Sequence, residues 1–257
     1  MRTRILSLVL VTAIGTVNMS WAQAPGIIDP VRPIAVQQHL CTLNTGKTMA
    51  DLADALQGRH AAAEASDYNG ISAQLTPRYA NTPFDVIWLD FLPFDQLADT
   101  AQWWDDNAQE ELASIFEVVS CQASLNASML MYRSDAILQD DDHAFLTWNW
   151  CTSLDGVSPE AHAAGRAAFV QRLSDANVRA AYSVMFPNFG VRTNNRLGDF
   201  AQIMVYPDWT ALAGAHEYWA TGGWRARAEY ERTFAQCTGP NVYDVTVFNR
   251  PHTPWFE

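Results

Sequence analysis

The chain has 257 residues, 49% of them apolar, with ten tryptophans and a formal net charge of −12. Such a composition supplies a sizeable core and excludes general disorder. The acidic balance repels phosphate backbones and anionic lipid, which argues against nucleic-acid and membrane partners.

Residues 1–24 read as a secretory signal peptide: Arg2 and Arg4, a mostly apolar run from Ile5 to Val17, and the small-residue site Ala22-Gln23-Ala24. The run is shorter than the ~20 apolar residues of a spanning helix. The expected product is a periplasmic or secreted protein with no membrane partner. Losing Arg2 and Arg4, with no acid among residues 1–24, takes the charge from −12 to −14. Pro25, Pro30 and Pro33 then mark an extended lead-in.

Val36 to Leu43 predicts a first strand. Thr48 with Asp51 three residues on forms a capping box for a helix to about Ala65. A second strand runs through Ile71, Ala73 and Leu75 to Pro77, and a third from Phe84 to Phe91. From Pro93 to Val119 the spacing is helical, interrupted at Asp105-Asp106-Asn107, which predicts two pieces with a fresh cap at the break. Leu125 to Arg133 predicts a fourth strand. Residues 134–144 read as a solvated linker, because Asp140-Asp141-Asp142-His143 lacks the spaced ligands and glycine bend of a calcium loop.

The same order then returns. At an offset of 110, Cys41 falls on Cys151, Thr48 on Ser158 and Pro77 on Pro187. At 116, Phe84 falls on Phe200, Trp103 on Trp219 and Cys121 on Cys237. Ser158 caps a helix with Pro159 at its first position. Ala181–Phe186, Phe200–Tyr206 and Asn241–Asn249 supply strands, with Gly222-Gly223 at the helix break. Residues 251–257 form a tail. The fold class is therefore α+β: two tandem ferredoxin-like βαββαβ repeats, residues 36–133 and 145–250.

Four cysteines in an exported chain favour disulfides. Cys41–Cys121 and Cys151–Cys237 is the pairing that the duplication suggests, and the ferredoxin-like topology brings those strand and helix ends to one edge. A zinc site is the rival, without a Cys-x-x-Cys spacing to support it.

Two repeats cover their bare sheet faces most simply by packing together, as an internal pseudo-dimer that makes an obligate dimer less necessary and leaves a monomer or a homodimer as the expected state. Element order, repeat length and Phe84–Trp88 before a Pro-headed helix make residues 36–250 resemble the dimeric α/β-barrel superfamily, with its antibiotic-biosynthesis-monooxygenase-like, EthD-like and NIPSNAP-like members. The Cys-framed repeat with Gly46-Lys47-Thr48 also resembles exported bacterial proteins of unassigned function. The resemblance implies a ligand between sheet and helices or inside the barrel. It carries no catalytic residue, because no family motif is present.

Strand alternation names candidates. Ile87, Leu89, Phe91, Ile203 and Val205 are expected to meet the helices, as are Leu40, Trp148 and Trp150. Trp88, Asp90, Gln202 and Tyr206 then face the barrel, together with Asn126, Ser128, Tyr132, Asp244 and Thr246 of the fourth strands, and with His39 and Asn149 of the first. Cys41 and Cys151 share parity with His39 and Asn149, so the disulfides conflict with this assignment. An aromatic face with a few acids and amides is the composition of a small-molecule pocket; an imperfect core between two sheets is the alternative. His39 is the candidate general base, with Asp90 as its partner. His216 precedes Trp219 and is a rival haem ligand or a surface residue. No cofactor and no metal is expected. The functions to separate are binding of a small apolar or aromatic molecule between the repeats, a cofactor-independent monooxygenase-like enzyme, and a structural protein without a ligand.

Overall fold

The computed structural model describes residues 33–64, 68, 70–134, 142–190 and 198–250. The expected signal peptide, most of the linker and the tail lie outside these. The first half comprises β1 (Ile34–Leu43), α1 (Met49–Glu64), β2 (Ile71–Tyr79), β3 (Val86–Pro93), α2 (Leu97–Asn107), α3 (Gln109–Val118) and β4 (Val119–Arg133). The second comprises β5 (His143–Ser153), α4 (Pro159–Asp175), β6 (Ala181–Phe189), β7 (Phe200–Tyr206), α5 (Trp209–Tyr218), α6 (Trp224–Thr233), the short β8 (Ala235–Cys237) and β9 (Asn241–Asn249).

Local signals account for several element boundaries. The Thr48 amide donates to Asp51 Oδ2 at 2.7 Å, and the Asp51 amide donates to Thr48 Oγ1 at 3.3 Å, which closes the box at the start of α1. Ser158 accepts from the Ala161 amide, with Pro159 at the first position of α4. The second helical stretch of each half is in two pieces, but no side-chain cap marks either break. Ala108 separates α2 from α3. A π-turn at Trp219–Gly223 separates α5 from α6. There Gly222 has φ +150°, and a Cβ on Gly223 would meet the Tyr218 ring at 2.6 Å, so both positions require glycine.

All the ladders are antiparallel, in the order β7-β6-β4-β1-β3-β2-β9-β5, and β5 pairs back to β7. The result is a closed eight-stranded barrel with β8 attached to the end of β5. The halves join edge to edge, through Ser128↔Met185 between β4 and β6 and Leu75↔Val245 between β2 and β9. Cys41–Cys121 and Cys151–Cys237 are both formed, each between directly paired residues. Among the described residues no helix is long and apolar enough to cross a membrane.

On the first and third strands of each half, and on β9, the face assignment is the reverse of the expectation, whereas Asn126 and Ser128 of β4 face the barrel as expected. Val36, Leu75, Ile87 and Leu89 pack inside the barrel against Leu146, Trp148, Ile203 and Val245, with Leu40 and Trp150 beside them. Val86 and Trp88 instead pack on Leu52, Leu56 and Ile115 of α1 and α3. Phe200, Met204 and Tyr206 pack with Leu173, Ala211 and Tyr230 of α4, α5 and α6. The cause is double burial. Helices cover one face of each strand and the opposite wall covers the other, so Val86–Pro93 is, apart from Asp90, apolar on both parities and alternation exposes no polar face to read. The cysteines point toward the helices and take His39 and Asn149 with them.

Candidate functional site

The two halves treat equivalent space between sheet and helices differently. In the first half it is filled. Arg59 of α1 is fully buried, and its Nη2 donates to Asp90 Oδ1 at 2.6 Å and to Ser72 Oγ at 2.9 Å. Tyr68 adds a hydroxyl to the same Asp90 oxygen at 3.1 Å. The Arg59 guanidinium carbon lies 4.0 Å from the centre of the Trp88 ring and 4.6 Å from that of Trp104. Its Nε and Nη1 make no hydrogen bond, and the indole faces supply a cation–π environment in their place. Burial raises the Tyr68 pKa, and the Asp90 charge adds to the shift. His39 leans on Trp88, with its Nε2 3.0 Å from Gln37 Nε2. Burial lowers the His39 pKa; Asp90 opposes that shift and Arg59 adds to it. The space left beside Trp88, Leu52 and Ile115 is about 10 Å³.

At the sequence offsets of 110 and 116, Arg59 corresponds to Phe169, Ser72 to Tyr182, Trp88 to Met204, Asp90 to Tyr206 and His39 to Asn149. The charged cluster is gone, and a cavity of about 250 Å³ stands in the second half. Its floor is Asn149 of β5, Tyr182 of β6, and Gln202 and Tyr206 of β7. Phe169 of α4, Trp219 of the π-turn and Tyr230 of α6 form its aromatic roof, with the Phe169 and Trp219 rings nearly parallel at 7°. His216 and the Arg227–Glu231 ion pair, 2.8 Å between Nε and Oε1, lie along its rim. Burial pushes the Tyr206 pKa up to about 12 and raises that of Tyr182, so both remain neutral hydroxyls at physiological pH.

Three polar atoms of the lining have no hydrogen-bond partner among the described residues: Asn149 Oδ1 and the Tyr182 hydroxyl on the floor, and the Tyr230 hydroxyl in the roof. Asn149 is 7% exposed and Tyr182 1%, and neither Asn149 Oδ1 nor the Tyr182 hydroxyl makes a hydrogen bond. Each such atom costs about 1–3 kcal/mol of unrecovered desolvation. Asn149 and Tyr182 sit on strands separated by β7, so the cavity floor offers two separate hydrogen-bonding points, with aromatic surface above them and the Tyr230 hydroxyl of α6 as a third.

The candidate residues named from sequence disperse over several places. Asn149, Gln202 and Tyr206 meet in this cavity. His39, Trp88 and Asp90 belong to the first-half cluster, where no hydrogen bond among the described residues joins His39 to Asp90 and Asp90 serves Arg59 and Tyr68. Asn126 and Ser128 face the barrel interior, Asn126 bonding the Val36 carbonyl and Gln38 at 3.3 Å. Tyr132 donates to the Val178 carbonyl at 2.7 Å. Asp244 pairs with Arg78 at the surface, and Thr246 sits opposite Gln74 in the β2–β9 ladder. Phe169, Tyr182, Trp219 and Tyr230 had no place among the candidates; the exchange of Arg59 for Phe169 at the offset of 110 is the signal in the sequence that marks them, and alternation alone does not use it. Among the described residues no group of three or more His, Cys, Asp or Glu side chains is arranged to hold a metal ion.

No family model matches the chain, and no curated protein matches it significantly. Solved structures resemble it in fold. A monooxygenase-like protein from Fusobacterium nucleatum superposes with a TM-score of 0.56 at 11% identity, over 88% of this chain and 97% of that one. A chlorite-dismutase-like protein gives 0.53 at 13%, over 84% and 95%. A haem-binding protein from Thermus thermophilus gives 0.51 at 6%, over 87% and 94%. At these identities the likeness is one of architecture alone, that of a closed antiparallel barrel with helices packed on its outside.

A haem does not fit the residues of this cavity. Its volume is below the ~300–1,000 Å³ of pockets that enclose drug-sized ligands, and a porphyrin is at the large end of that scale. His216 is the histidine at its lining, and it is exposed at the rim, whereas an axial ligand is aimed inward and oriented by a partner.

Proposed function

We propose that the chain is an exported binding protein built from two ferredoxin-like repeats, residues 36–133 and 145–250. Its ligand is a flat, mostly aromatic small molecule held between the second-half sheet and α4–α6. The observation that carries the reading is the pair of buried, unpartnered atoms, Asn149 Oδ1 and the Tyr182 hydroxyl, on the floor of an aromatic cavity of about 250 Å³. A ligand with polar groups at two edges satisfies both, and Phe169 and Trp219 cover its face. The strand orders β4-β1-β3-β2 and β9-β5-β7-β6 support the duplication. The two disulfides and the leader-like residues 1–24 support export. The barrel closes within one chain, so the site requires no second subunit.

Proton transfer by His39 and Asp90 has weaker support, because Asp90 is paired with Arg59 and the space beside their neighbour Trp88 is about 10 Å³. Calorimetric titration with 2,6-dihydroxynaphthalene, whose hydroxyls lie at opposite edges, tests the reading. The expected result is saturable one-to-one binding, weakened about tenfold by Tyr182→Phe and by Asn149→Leu, the loss of one hydrogen bond each. Equal binding by all three proteins would count against it. So would a Soret band on haem addition that disappears in His216→Ala.

A further inference from the structure

We propose that one end of the barrel interior is a second, separate binding site, for an apolar body of about six carbons such as a monocyclic ring. All eight barrel strands contribute to a cavity of about 140 Å³ that opens beside His143 and Arg250. It exists because five inward positions carry small side chains, Ala73, Ser128, Ala144, Ala181 and Ser183, within walls of Leu, Ile, Val and Phe. Larger aliphatic side chains at those positions would close the space, as Trp148 and Met185 do deeper in the barrel. An apolar cavity of about 150 Å³ lined by Leu, Ile and Phe stays dry and takes up benzene, and this one has the same size and character. Arg250 lies 3.9 Å from Asp142 at the mouth, so a ring occupying the void keeps any polar substituent there, in water.

This site is distinct from the cavity of the second half, although they share strands. On β6, Ala181 and Ser183 face the barrel while Tyr182 between them faces the helices. A ligand in one place therefore does not touch the other.

Toluene is the probe. In methyl NMR of the full chain, toluene should bind saturably and shift the Leu89 and Val245 methyl signals. Ala73→Leu and the milder Ala144→Val should each weaken toluene at least tenfold, while leaving 2,6-dihydroxynaphthalene binding unchanged. Tyr182→Phe should do the opposite. Circular dichroism and thermal melting identify any variant that fails to fold; if Ala73→Leu does, Ala144→Val decides. Absence of saturable toluene binding overturns the proposal. So does toluene affinity that stays the same in a folded barrel-filling variant, or shifts confined to the Phe169 cavity. The results that overturn the proposal are read on toluene alone and do not depend on whether dihydroxynaphthalene binds.

Discussion

A guanidinium with no solvent contact survives only where its charge is matched and its flat faces are covered. Arg59 has both, through Asp90 and through Trp88 and Trp104. Removing one partner leaves the other as an uncompensated buried charge, so Arg59→Met should destabilise the fold by about 3–5 kcal/mol in urea titrations, and Arg59→Met with Asp90→Leu should recover most of it. A double variant as unstable as the single one would show that the cluster contributes by packing alone. In the second half the counterpart residue is Phe169, shorter and uncharged, and the space that Arg59 fills is open. None of this was legible from alternation: Asp90 reads as a barrel-facing partner of His39 until its arginine, 31 positions away on a helix, is known. His39 and Asn149 were misplaced for the same reason, since both strand faces are covered.

At the scale of elements more could be read in advance. The box at Thr48, the Ser158-Pro159 start and the pairing of the cysteines follow from local chemistry and from the repeat, and the structure has all of them. The break between α5 and α6 was expected at Gly222-Gly223, but its form, a π-turn that delivers Trp219 to the cavity, depends on tertiary contacts with Tyr218 that spacing does not reveal. The disulfides clamp β1 to β4 and β5 to β8 across 80 and 86 residues of chain. By loop closure each should stabilise by about 4 kcal/mol. Replacing either cysteine pair by alanine should lower the urea midpoint accordingly, with an unreduced peptide map confirming the remaining bridge. An unchanged midpoint would mean that the denatured chain is already constrained there.

The described residues form one closed barrel whose interior is mostly apolar and whose two outer faces differ, one packed with charge and aromatics, the other hollow. Burial holds His39, His60 and His162 below their ordinary pKa of 6.5. The unfolded chain therefore takes up protons that the folded chain resists, so stability is full above about pH 6.5 and falls as pH drops through the lowered folded values. Urea unfolding at pH 8, 6.5 and 5.5 should show that decline; a flat profile would contradict neutral histidines in the fold. The central claim is that the hollow face binds a flat aromatic molecule. A crystal structure with 2,6-dihydroxynaphthalene tests it most directly. The account predicts density beneath Phe169 and Trp219, with one hydroxyl donating to Asn149 Oδ1 and the other bonded to Tyr182. Density only in the barrel, or an empty second-half cavity at saturating ligand, would contradict it.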